Sequence, residues 1–197
     1  MTIAVAPPQT ITAEAYLAQE VELETRNEYR NGEIVPMTGG TPAHNELNAN
    51  LVFLLKAALR KQPYSIFITD QRLWIPERNL YTYPDTMVTP RPVELQSGRK
   101  DTVINPILLA EVLSKSTQQY DRTEKFAAYR TIASFQEYLL IDQSRPYVEQ
   151  YVKQAANQWL FTEHIGLDKT LTLRSLNNIE IALADLYEAI AFDAADV

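Results

Sequence analysis

"PILLAEVLSKST", residues 106–117, is an almost unbroken apolar run that ends in hydroxyls and a lysine. A strand with one solvated face alternates apolar and polar residues. A run this continuous fits a central strand covered on both faces, as in an α/β sheet. Downstream, Asp121 and Glu124 have the spacing of an N-cap and its N3 partner, which predicts a helix from Asp121 through Tyr129. "QEYLLID" (136–142), "YVEQYVK" (147–153), "NQWLFTEH" (157–164) and "TLTLRS" (170–175) read as strands, and "LADLYEAIA" (183–191) as a closing helix. Upstream, "YTYPDTMVTP" (81–90) reads as one strand with an irregular point or an edge at Pro84, which cannot donate to a ladder. "YSIFITD" (64–70) and "QRLWIPE" (71–77) are two strands or one bent one, and a Pro- and charge-rich loop spans roughly 90–106.

Nearer the N-terminus, Thr12 is placed to cap a short helix over "AEAYLAQE" (13–20). Asn31-Gly32 in "RNEYRNGEIVPM" (26–37) is a hairpin signal that puts Tyr29 and Ile34 on paired strands. In "PAHNELNANLVFLLKAALRK" (42–61), Leu47, Leu51, Leu54, Leu55 and Ala58 recur at helical spacing, so one face of that helix meets the core. Helices packed on a mixed sheet, with added antiparallel strands late in the chain, make an α/β fold. No linker or repeat divides it. One domain over 12–197 is expected, after a flexible lead-in over 1–11.

Composition narrows function. The 197 residues are 46% hydrophobic and 22% charged, the profile of a globular chain. The absence of cysteine excludes disulfides and thiolate metal sites and suits a reducing cytoplasm. No apolar run approaches the roughly 20 residues of a membrane-spanning helix, and "MTIAVAPPQT" (1–10) lacks the pattern of a signal peptide. The net charge of −7 argues mildly against a polyanionic partner. Its distribution softens that. Residues 56–130 carry 12 basic and 8 acidic side chains, a local excess of +4, between segments of −5 and −6.

Two of the apolar strands each carry one acid, Asp85 and Glu111. An isolated buried carboxylate costs several kcal/mol, so each needs a partner or a metal. Either acid alone is equally well a salt bridge at a strand end. If the strands are neighbours, the two acids converge, and a divalent cation is the common remedy for their repulsion. Oxygen-only ligands select Mg²⁺ or Mn²⁺ over zinc, and such an ion activates water against a phosphate. A lysine beside the pair would stabilise developing negative charge. Lys115 follows Glu111 by four residues, on the same side if the strand persists. Lys125 lies on the next helix, where Arg122 shares its face at i, i+3.

"YTYPDTMV", "PILLAEVLSKST", "YDRTEKFAAYR" (120–130) and "EYLLID", after "RNEYRNGEIVPMTGGTPAHNELNANL" (26–51), occur in the order that resembles the Uma-two family of restriction-endonuclease-like nucleases, in the PD-(D/E)XK superfamily. The resemblance covers roughly residues 12–155. It implies an αβββαβ restriction-endonuclease-like core and a metal held by two acids. Asp85 matches the acid of the "PD" motif and Glu111 that of "(D/E)XK". Leu113 stands where the superfamily has lysine, and the resemblance implies that Lys125 on the following helix supplies the ammonium, with Lys115 second. It also matches Glu28 to an acid from the N-terminal region, whose alternative is a surface acid beside the hairpin. The activity implied is Mg²⁺- or Mn²⁺-dependent hydrolysis of DNA by a cytoplasmic homodimer; the alternative is a non-catalytic nucleic-acid- or protein-binding module on the same fold. Asp70 is expected to be a turn residue, and Trp74 and Trp159 to pack in the core or on a sheet face. His44 could be a functional base or phosphate contact, or a polar surface residue in the first turn of its helix; Ser114, Ser116 and Thr117 could serve a phosphate or cap the loop before the next helix.

Overall fold

The computed structural model describes residues 10–192, so most of the expected lead-in lies outside the described residues. Thr12 caps α1 (Ala13–Glu22), its hydroxyl accepting from the Ala15 amide. The Asn31-Gly32 turn joins β1 (Asn27–Arg30) to β2 (Glu33–Pro36) with Tyr29 opposite Ile34. Both turn residues have positive φ, 47° and 105°, as this hairpin type requires. Then come α2 (Pro42–Ala58), β3 (Tyr64–Ile68) and β4 (Arg72–Ile75). They are followed by β5 (Leu80–Thr82), β6 (Thr86–Pro90), β7 (Thr102–Val103) and β8 (Leu108–Leu113). Helix α3 runs over 118–129 with a π turn, Asp121–Lys125, at its centre. After these come β9 (Glu137–Asp142), β10 (Tyr147–Ala155), β11 (Gln158–Ile165), β12 (Thr170–Leu173), β13 (Ile179–Ala182) and α4 (Leu183–Leu186).

The strands form a six-stranded mixed sheet, β11-β10-β9-β8-β6-β3, a five-stranded sheet, β2-β1-β5-β4-β7, and the β12-β13 ribbon. Strand β8 is central, as its sequence demands. It pairs antiparallel with β6 and parallel with β9, and α3 makes the crossover. Its side chains alternate between two cores. Leu108, Ala110 and Val112 join Leu47, Leu51, Leu55 and Leu59 of the α2 side, while Leu109 and Leu113 join Phe126 and Tyr129 of α3. Each fully buried leucine contributes roughly 1.5–3 kcal/mol. Leu59 takes the core place expected of Ala58, which is exposed.

Several expectations are corrected here. "YTYPDTMVTP" is two strands in different sheets, β5 and β6, parted at Tyr83-Pro84-Asp85, because Pro84 breaks the ladder and lets the chain change sheets. The loop after Pro90 contains β7, paired with β4. The closing helix spans only Leu183–Leu186. Asp121 does not cap a helix: α3 starts at Gln118, the Asp121 amide donates to the Thr117 carbonyl, and the Asp121 side chain is buried. No helix among the described residues is long and apolar enough to cross a membrane.

Beside β7, Asp101 accepts from Arg99 at 2.7 and 2.8 Å and lies 3.3 Å from Arg72. The Arg99 hydrogen bonds, with help from Thr102 and Arg72, hold its pKa down to about 2. A depressed acid stabilises the fold above its ordinary pKa, and that contribution is lost as pH falls through the folded value. Asp101→Asn therefore lowers the melting temperature at neutral pH by a small margin, limited by solvent exposure, and the gap to the parent closes by about pH 2. A gap unchanged at pH 2 would contradict this.

Candidate active site

Register and alternation bring the two strand acids together. In the β6–β8 pair, Thr86 faces Ala110, so the same register carried one residue further puts Asp85 opposite Glu111. Asp85 shares its face with Met87, and Glu111 shares its face with Leu109 and Leu113, the face α3 covers. The two acids then interlock with each other's backbone. Asp85 Oδ2 accepts from the Val112 amide at 2.8 Å, and Glu111 Oε2 lies 3.4 Å from the Asp85 amide. The break at Pro84 ends β5 and lets Asp85 reach this position ahead of β6.

Lys125 completes the cluster. Its ammonium lies 2.9 Å from Glu111 Oε1, 3.5 Å from Asp121 Oδ1 and 3.8 Å from Glu28 Oε1. The π turn carries Asp121 and Lys125 inward together, and the Asp121 carbonyl accepts from the Tyr138 hydroxyl at 3.2 Å. Tyr129 donates to Glu111 Oε1 at 2.7 Å. Glu28 is held by the Thr82 hydroxyl and by Arg30, which lies over the Tyr120 ring. Glu28, Asp85, Glu111, Asp121 and Lys125 line one cavity of about 460 Å³ together with Arg30 and His44, four carboxyl groups against the two cations Lys125 and Arg30.

The charge balance is negative. Burial pushes the Glu111 carboxyl up; Lys125 opposes this, Asp85 and Asp121 add to it, and the result is about 8. Burial works against the Lys125 ammonium, but Glu111, Glu28 and Asp121 outweigh it and hold its pKa well above the usual range. Burial would also raise Glu28, yet Lys125, Thr82 and Arg30 keep it below the ordinary carboxylate value. Lys125 thus stays charged, and Glu111 holds the surplus proton at neutral pH.

Hard oxygens around a surplus negative charge suit a divalent cation. Asp85 makes both its hydrogen bonds through Oδ2, and Glu111 makes its close contacts through Oε1. Asp85 Oδ1 has no protein hydrogen bond, and Glu111 Oε2 has only the long one from the Asp85 amide. Among the described residues, no three His, Cys, Asp or Glu side chains form a ready metal cage. A cation here would complete its shell with water and substrate, the habit of Mg²⁺.

Of the residues singled out in the sequence, Asp85, Glu111, Lys125 and Glu28 meet in this cavity. Lys115 does not: β8 ends at Leu113, so alternation no longer carries it inward, and it is exposed. Arg122 turns away to Glu149 at 2.8 Å instead of sharing the Lys125 face. Asp70 is exposed and pairs loosely with Arg26, as a turn residue does. Ser114 accepts from the Thr117 amide and also lines the cavity with Thr117. Trp159 packs on Phe126 and Phe135, and Trp74 stacks on Tyr81. Asp121 and Tyr129 were missed as site residues. The Asp121–Lys125 spacing of four on one helix was the available signal for the first.

A family model described as "Putative restriction endonuclease", Uma2, matches residues 13–184. The chain belongs to the Uma2 family. An uncharacterized protein of Synechocystis sp. is 43% identical over 162 residues, 82% of this chain and 92% of its own length. A second from the same organism is 32% identical over 187 residues, 95% of this chain and 96% of its own length. The crystal structure of a "putative nuclease belonging to DUF820" from Anabaena variabilis shares the fold, with a TM-score of 0.72 over 92% of this chain and 99% of that one, at 18% identity. The restriction-endonuclease-like architecture expected from the Uma2 resemblance is thereby borne out.

Proposed function

We propose that this Uma2 chain is a Mg²⁺- or Mn²⁺-dependent endonuclease that hydrolyses DNA phosphodiester bonds. The observation that carries the reading is the convergence of Asp85, Glu111 and Lys125, from three separate elements, in one cavity. In it, Asp85 and Glu111 would hold the ion. When bound, the ion would polarise the scissile phosphate and lower the pKa of a water. Lys125 presents a fixed ammonium where negative charge develops on the phosphate. Glu28 and Asp121 keep that ammonium charged and aimed, and Tyr129 holds the Glu111 carboxylate from behind. Two such sites in a homodimer would serve the two strands of a duplex. The basic middle segment is the part of the chain suited to the phosphate backbone. The test is cleavage of end-labelled DNA with Mg²⁺ or Mn²⁺, stopped by chelation. DNA left intact with either ion, or cut equally in chelator, overturns the proposal.

Because Glu111 holds a proton at neutral pH, loading the ion must displace it. Mn²⁺ binding at pH 7, measured by calorimetry in buffers of different ionisation enthalpy, is expected to release about one proton, falling toward none above pH 9. The apparent affinity rises with pH up to about 8 and then levels. Proton-neutral binding at pH 7 contradicts the assignment of Glu111 as a ligand.

The net charge of −7 favours the second reading, a non-catalytic binding module on the same fold. That reading expects no Mn²⁺ binding in the same calorimeter.

A further inference from the structure

His44 stands in the third position of α2, behind the Thr41 cap, and its Nε2 lies 3.1 Å from Asp85 Oδ2. The carboxylate only accepts, so Nε2 carries the hydrogen and donates. On the other side of the ring, Nδ1 is buried without a hydrogen-bond partner. Gly40 approaches on that side. A Cβ on Gly40 would sit 2.7 Å from His44 Nδ1 and 2.9 Å from Cγ, closer than real Cβ contacts allow. The φ of Gly40 is not in the left-handed region, so only the imidazole makes a side chain costly there. Gly39, one residue earlier, has nothing within 4 Å of such a Cβ. The imidazole is therefore wedged between a bare glycine and the Asp85 carboxylate.

We propose that His44 is a positioning residue for Asp85, and that Gly40 is glycine so that the imidazole can lie where it does. His44 and the Val112 amide both hold Oδ2, which fixes the carboxylate plane and leaves Oδ1 without a protein hydrogen bond. This rests on the reading of Asp85 as an ion ligand. Groups that orient a ligand from behind typically affect metal affinity 10–100-fold.

Mn²⁺ affinity by calorimetry on the full chain tests it. His44→Ala is expected to weaken binding about 10–100-fold. His44→Gln, which can place an amide N–H near the same oxygen, is expected to recover part of the loss. Gly40→Ala is expected to weaken binding in the same direction, and Gly39→Ala to leave it unchanged. In the His44→Ala background, adding Gly40→Ala is expected to cost nothing more, since its target is gone. Parent-like affinity in His44→Ala, or an equal Gly40→Ala effect with and without His44, overturns the proposal. Crystal structures of the metal-free parent and Gly40→Ala decide the geometry independently: the Asp85 carboxylate must rotate in the variant, and an unmoved Asp85 refutes the positioning. A parent that binds no Mn²⁺ defeats the ion-ligand reading of Asp85 and, with it, this proposal.

Discussion

Asp85→Asn is expected to reduce metal-dependent DNA cleavage by about 10³-fold or more, the scale of losing an ion ligand together with the charge it organises. The fold is expected to persist. The asparagine carbonyl can still accept from the Val112 amide and from His44, the two bonds Asp85 makes through Oδ2. What disappears is the negative charge and the second hard oxygen. The change also removes one of the groups that raise Glu111, so its carboxyl falls from about 8 toward the ordinary range. The measurement is paired: initial cleavage rate with Mn²⁺, and melting temperature without it. A cleavage rate within tenfold of the parent refutes the role assigned to Asp85. Loss of both rate and fold means instead that Asp85 is a structural partner in the β6–β8 pair.

Lys125→Met is expected to destabilise the protein by about 3–5 kcal/mol, the cost of leaving buried carboxylates without their cation. In a chain of this size that lowers the melting temperature by roughly 10 °C. The Lys125 side chain is 7% exposed and lies within 4.0 Å of Glu111, Asp121 and Glu28, each buried in turn. Adding Asp121→Asn to Lys125→Met is expected to restore part of the stability, because it removes one of the buried carboxylates that Lys125 balances, while cleavage stays lost. A single variant that melts like the parent would show that the carboxylates simply take up protons, and that Lys125 does not hold the site together.

The two strand acids were legible because an ionised carboxylate in an apolar strand is too costly to be incidental. Asp85 and Glu111 stood out for that reason, and sheet register then brought them face to face. Lys125 was harder to place. Alternation along β8 also favoured Lys115, and nothing local says that the strand stops at Leu113; the resemblance to the Uma-two pattern chose the helix. Asp121 was misread because a capping pattern is a three-residue rule that many helix interiors also satisfy. Its true partner lies one turn onward, and the π turn that aims both residues inward has no signature of its own. The division of "YTYPDTMVTP" between two sheets was hidden for a related reason. Periodicity reports which face a residue takes, not which sheet its strand joins, and only Pro84 hinted at the break. His44 stayed ambiguous because its role depends on Asp85, 41 positions away.

The most direct test of the central claim is anomalous diffraction from crystals soaked in Mn²⁺. One strong peak is expected in the cavity, bounded by the Asp85 and Glu111 carboxylates and beside the Lys125 ammonium. A well-diffracting soaked crystal with both carboxylates ordered and no peak between them would contradict it.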